Sequence, residues 1–142
     1  MSFDQLSTAA FALDPGVRWV AVARPGAPPR WRYRPQVLAL NESASDEAEE
    51  RLANPAILAL AGARGDWDLD GLRYVAIAYG KLTQVIAPLP EGGHISLLFD
   101  GGSDPTVVGQ ALITGLASEA DHNHNGATVE SIEFLRPAAG KA

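Results

Sequence analysis

Three arginines alternate with two aromatic residues in Arg30-Trp-Arg-Tyr-Arg34, the most specific charged feature of an otherwise acidic chain. Alternate positions of a strand share a face, so Arg30, Arg32 and Arg34 stand together opposite Trp31 and Tyr33. Guanidiniums arrayed in this way suit bidentate capture of carboxylates or phosphates on a partner. The same charges on an edge strand also keep foreign strands from pairing with it. The sequence leaves both readings open.

Other groups with chemical potential read as structure. Asp66-Trp-Asp68-Leu-Asp70-Gly71 copies the front half of a calcium loop. Its twelfth position, which needs a bidentate Glu, is Ile77, and its eighth is Arg73, so an acidic helix-to-strand turn is expected instead. Asp121, His122 and His124 have spacing that a metal could use, but they sit among Asn and Gly and read as loop. His94 opens an apolar strand and reads as a satisfied, partly buried histidine rather than a catalytic base. Gly101-Gly102-Ser103-Asp104-Pro105 has neither the nucleophile-elbow pattern nor a basic residue at P-loop distance, and is expected to be a loop and helix cap. No catalytic, cofactor-binding or metal-binding residues are assigned, and the chain is read as a non-enzyme with no cofactor.

Composition narrows the class further. The chain has 142 residues, 11 Lys and Arg against 17 Asp and Glu, a net charge of −6 and no cysteine. The acidic balance argues against tracking along nucleic-acid phosphates. The absence of cysteine excludes disulfides, thiolate metal sites and a cysteine nucleophile. The first ten residues lack a positive segment and carry Asp4, and the weakly polar stretch Ala53–Ala63 is interrupted by Pro55 and far short of a membrane span. No membrane partner and a cytoplasmic location are expected.

These residues must be positioned by an α+β architecture. Phe3, Leu6, Ala10 and Leu13 recur at helical spacing until Asp14-Pro15-Gly16 stops them. Val17–Ala23 is apolar on both faces, so it reads as a strand covered on both sides, and Arg30–Arg34 pairs with it as a half-exposed strand. Ser45 is a candidate N-cap for an Ala-rich helix through Ala63, with Asp46, Glu47 and Glu49 in its first turn, Pro55 splitting it near Asn54 and Gly65 as its stop. Three strands follow: Gly71–Tyr79, a Gly80-Lys81 hairpin turn, Leu82–Ala87, and His94–Phe99, the most apolar and hence central. Asp104-Pro105 caps a helix with Val108, Ala111, Leu112, Gly115 and Leu116 on one face. Val129–Leu135 is a further short strand or a docked segment. The order is α-β-β-α-β-β-β-α, with a mainly antiparallel five-stranded sheet flanked by helices. Residues 1–120 form one domain and 121–142 a C-terminal extension. Trp19, Val20, Val22, Val75, Ile77, Ile86, Leu97, Phe99, Val108, Leu112 and Leu116 are expected in one core.

From Phe3 to Ala120 the chain resembles the roadblock/LC7 family. The likeness rests on the first helix with the DPGVRWVAVARPG hairpin, the acidic start of the Ala-rich middle helix, and YGKLTQVIAPLPEGGHISLLFD followed by a helix. It implies a roadblock/profilin-like fold and a bacterial regulatory protein that is dimeric and non-enzymatic, scaffolding a signalling partner such as a Ras-like small GTPase. It also implies that Leu72–Tyr79 is a sheet edge that pairs with its copy while the middle helices pack side by side, with Ala56, Ala59, Tyr74, Val75 and Ile77 at the interface. A long apolar edge strand supplies the physical motive, because its unpaired backbone groups invite pairing. Two alternatives stand beside this reading: a small-ligand sensor of profilin- or GAF-like build, which would need an apolar cavity with converging polar groups, and an acidic secretion-type chaperone.

Overall fold

The computed structural model describes residues 2–34 and 49–123. Helix α1 (Phe3–Leu13) begins at a capping box, where the Ser2 hydroxyl accepts from the Gln5 backbone N–H and the Gln5 side chain accepts from that of Ser2. It buries Phe3, Leu6, Ser7 and Ala10. Strands β1 (Val17–Ala23) and β2 (Arg30–Tyr33) form a hairpin, and a single π-helical turn (Glu49–Ala53) leads into α2 (Asn54–Asp68). Then come β3 (Val75–Ala78), β4 (Leu82–Pro88), β5 (His94–Asp100) and α3 (Pro105–Asn123). All strand pairs are antiparallel and the sheet order is β2-β1-β5-β4-β3. β5 is central, as its apolar run implies, and only Asp100 at its end is exposed.

The sheet has two different faces. Val17, Val20, Val22, Val85, Ala87, Ile95, Leu97 and Phe99 pack with Phe3, Leu6 and Ala10 of α1 and Val108, Leu112 and Leu116 of α3. The opposite face gathers Trp19, Ala21 and Leu98 with the half-buried Trp31, Tyr33 and Leu82. A bulge at Arg18 breaks the register between Val17 and Trp19. That extra residue shifts the alternation by one, so Val17 joins Val20 and Val22 under the helices, while the Arg18 guanidinium reaches Asp100 at 3.3 Å.

The structure corrects several expectations. The single expected core divides in two, because a period of two sends Trp19 to the face opposite Val20 and Val22. Ile86, opposite Ser96 in the ladder, is fully buried on the Trp19 face, and Val75 and Ile77 are only half-buried because they lie on the outermost strand. β3 starts at Val75, not Gly71, since residues 71–74 are spent turning out of α2. α2 does not stop at Gly65 but runs three residues further. Gly65 is instead a contact point, where a Cβ would stand 2.8 Å from the Gly71 carbonyl carbon. The helix ends where Asp70 takes a positive φ of 65° and the Gly71 N–H bonds to the Gly65 carbonyl. Pro55 does mark a change in the helix, at the junction of the π-helical turn and α2. Asp121, His122 and Asn123 lie in the last turn of α3 rather than in a loop. Ser45 to Ala48, His124 and Val129–Leu135 lie outside the described residues.

Candidate interaction surface

The three arginines of β2 fold back onto α1. The guanidinium carbons of Arg30 and Arg32 lie 4.5 and 5.4 Å from the centre of the Phe3 ring, and that of Arg34 lies 5.0 Å from the Phe11 ring. Arg32 also pairs with Asp4 at 2.6 Å. Arg34 donates through Nε to the Val17 carbonyl at 2.7 Å and through Nη2 to the carbonyls of Phe11 and Asp14. α1 has no basic residue in its own last turn, and Arg34 supplies that cation from the neighbouring strand. The set is therefore engaged within the molecule as a clamp on α1, and Arg30 remains its most exposed member.

The carboxylates of the calcium-like run do not gather on one side. Asp66 and Asp68 sit in the last turn of α2, about 200° apart around the axis, so they point to opposite sides. Among the described residues no three or more His, Asp or Glu side chains converge as metal ligands. At the other end of the sheet, Asp14 accepts from the Gly16 N–H and the Ser103 hydroxyl, both at 2.7 Å, and Asp104 caps α3 by accepting from the Thr106 N–H. Gly101–Pro105 is thus the loop and cap its sequence indicates. Across the sheet end, Arg24 holds Glu91 at 2.7 Å, and that hydrogen bond pulls the Glu91 carboxyl below its ordinary pKa.

His94 is buried against Glu50 of the π-helical turn, Nε2 to Oε2, and Asn54 donates to the other oxygen of Glu50 at 2.9 Å. Glu50 escaped the sequence reading, since it looks like one more acidic residue facing a helix N-terminus. The one available signal was Asn54 four residues later, at hydrogen-bonding distance on a helical turn. Clefts are small. The apolar one between α1 and α3, lined by Leu6, Ala10, Leu13, Ile95, Leu112 and Leu116 among others, holds about 30 Å³, and one beside Phe3, Arg24 and Arg30 holds about 130 Å³. Both are below the roughly 300 Å³ at which small-molecule sites begin.

The largest departure from ordinary surface chemistry is α2. Of its fifteen residues only Asn54 and Gly65 are buried. Leu52, Ala56, the adjacent pair Ala59 and Leu60, Ala63 and Trp67 recur every three or four residues along its outward side, Leu52 lying just before the helix. Leu60 is 76% exposed, Trp67 87% and Leu52 71%. β3 beside it is the last strand of the sheet. Val75 and Ile77, opposite Ile86 and Gln84, point to the Trp19 face of the sheet, while Ala76 and Ala78 are exposed on the other. Of the five residues expected at a two-fold interface, Ala56, Ala59, Val75 and Ile77 lie on these two elements. Tyr74 does not, since its ring packs under α3 against Gly109. No helix among the described residues is long and apolar enough to cross a membrane.

No family model matches the sequence, and no curated protein matches it. Solved structures do. A roadblock/LC7 domain from Streptomyces avermitilis is 11% identical, with 84% of this chain and 98% of that chain covered and a TM-score of 0.59. MglC from Myxococcus xanthus is 13% identical over 84% and 99% of the two chains, with a TM-score of 0.47. The α-β-β-α-β-β-β-α order, the five-stranded antiparallel sheet and the likeness to the Streptomyces domain give this chain the roadblock/LC7 fold.

Proposed function

We propose that this chain is a non-enzymatic interaction module that works as a homodimer, joined through α2 and the edge of β3, and that it serves a signalling partner in the cytoplasm. The observation that carries this reading is the apolar outward side of α2. Monomeric proteins rarely leave so many large apolar side chains together in water. The stripe is also self-complementary. A two-fold axis between Ala59 and Leu60 sets Ala63 against the partner's Ala56 and Trp67 against the partner's Leu52, so that small residues meet at the centre and large ones at the ends. Tryptophan so exposed is the residue type that most often anchors an interface.

Light scattering tests the assembly. The wild type is expected at about twice its 15.0 kDa chain mass. Trp67→Asp is expected to be monomeric, with its folded far-ultraviolet spectrum kept because Trp67 touches no core. A wild-type monomer at micromolar concentration overturns the reading. For the partner, a Ras-like small GTPase is the class that the family resemblance implies. Capture of purified small GTPases, loaded with GDP or a GTP analogue, by the immobilised dimer is the direct test, and equal absence of binding in both states rejects that class.

A further inference from the structure

Among the described residues, the two ends of α2 are held by contacts of different chemistry, one to the turn that follows it and one to the sheet. At its C-terminal end Gly65 lies on the backbone of Gly71 and Leu72, closer than any Cβ would permit. At its N-terminal end Glu50, 1% exposed, reaches His94 of β5 while Asn54 donates to its second oxygen. The first attachment is steric and indifferent to pH. The second joins two ionisable groups in direct contact. Glu50 is carried by a single π-helical turn, a local departure from the α-helix that is frequent at functional sites.

We propose that the Glu50–His94 contact is a pH-sensitive latch that sets the tilt of α2 and, through it, self-association. This rests on the dimer reading above, because the face being controlled is the apolar side of α2. An imidazolium next to a carboxylate satisfies a buried negative charge. Removing the imidazole proton leaves the Glu50 carboxylate with neutral donors only, and a buried carboxylate without a compensating cation is costly. The N-terminal end of α2, with Leu52 and Ala56, then loosens from the sheet. The α2 stripe and the β3 edge no longer present one surface, and association weakens as pH rises. Of the other described charges at this end of the sheet, Arg24 and Glu91 are paired with each other, and Arg30, opposite Val22, lies over the Phe3 ring on the other face of the sheet. Along the same face Gln84 and Ser96 are hydrogen-bonded to one another and carry no charge.

The experiment compares wild type, His94→Gln and Glu91→Gln at about pH 5.5 and about pH 8, the span in which histidines titrate. Sedimentation gives the dimer dissociation constant, and hydrogen exchange, corrected for intrinsic rates, gives the protection of amides 57–63 against those of β5. In the wild type the dissociation constant should rise on the order of tenfold at the higher pH, and α2 protection should fall while β5 protection holds. Glu91→Gln should behave as wild type, and His94→Gln should lose both responses. Should His94→Gln fail to fold, Glu50→Gln carries the same expectation. A flat wild type, or an equal response in His94→Gln, overturns the latch. If α2 protection responds but the dissociation constant does not, control of assembly is overturned. If the chain is monomeric at both pH values, the dimer reading and that control both fall, and exchange alone decides whether the latch stands.

Discussion

Gly109 of α3 lies against the ring of Tyr74, the residue that leads into β3: a Cβ at position 109 would stand 2.7 Å from the ring carbon Cε2. That contact lets α3 approach the outer strand and packs the half-buried Tyr74 against the main core. Gly109→Ala gains about 1 kcal/mol of helix propensity but forces the ring or the helix to move, and overpacking of this kind costs about 1–3 kcal/mol. A net loss of stability is expected in urea. Tyr74→Ala in the same chain should reverse the sign of the Gly109→Ala effect, because the ring it collides with is gone. Additive single effects would show that the two residues do not meet.

The clamp of β2 on α1 predicts that charge alone is insufficient at position 34. Arg34→Lys keeps the cation but cannot bond the Val17, Phe11 and Asp14 carbonyls together or lie flat over the Phe11 ring. A loss of about 1–2 kcal/mol is expected from the urea midpoint. Faster exchange should follow at the C-terminal end of α1. An unchanged midpoint would return Arg34 to the role of an edge charge.

That clamp also shows where reading the sequence stopped. Alternation alone put Arg30, Arg32 and Arg34 on one side of a strand, and helical spacing put Phe3 inside α1. What joins them is a coincidence of lengths. Phe3 and Phe11, eight residues apart on a helix, are separated by about 12 Å, and Arg30 and Arg34, four residues apart on a strand, by about 13 Å. The elements run side by side in one direction, so both ends meet. Periodicity is a property of one element, whereas this match depends on how two elements lie together. The same limit hid Glu50, whose partner His94 is distant in the chain, and the side taken by Val17, which turns on one bulged residue at Arg18. The bounds of β1, β4 and β5 (to within a residue), the hairpin turn at Gly80-Lys81 and the cap at Asp104 depend on neighbours in sequence, and these were legible, whereas the start of β3 was not.

The Arg24–Glu91 pair gives a pH dependence with a definite sign. Its hydrogen bond lowers the Glu91 pKa in the folded state. The stabilisation is therefore present above the ordinary glutamate range and is lost as pH falls through the lowered folded value. Both side chains are partly in water, 31% and 47% exposed, so the effect is screened and about 0.5 kcal/mol or less. Stability curves of wild type and Glu91→Gln should differ near neutral pH, converge in acid and draw together in high salt. A difference that grew in acid would reverse the assignment.

The last prediction separates the outer edge of β3 from its inner ladder. The Tyr79 N–H bonds to the Leu82 carbonyl across the Gly80-Lys81 turn. Antiparallel pairs alternate between bonded and non-bonded partners, so Ile77 and Val75 turn their backbone groups toward Gln84 and Ile86 of β4. Ala76 and Ala78 turn theirs outward, where a second copy would pair. Proline at position 77 would therefore break the chain's own sheet, and its failure to dimerise would carry no information. Ala76→Pro removes an outward donor, leaves the β4 ladder its bonds and replaces an exposed small side chain. It should fold with a urea midpoint near that of wild type and run at the monomer mass of 15.0 kDa in light scattering. Ile77→Pro should lower the midpoint outright. An Ala76→Pro variant that keeps both its stability and its dimer would place the interface away from β3 and leave α2 alone to hold the two copies together.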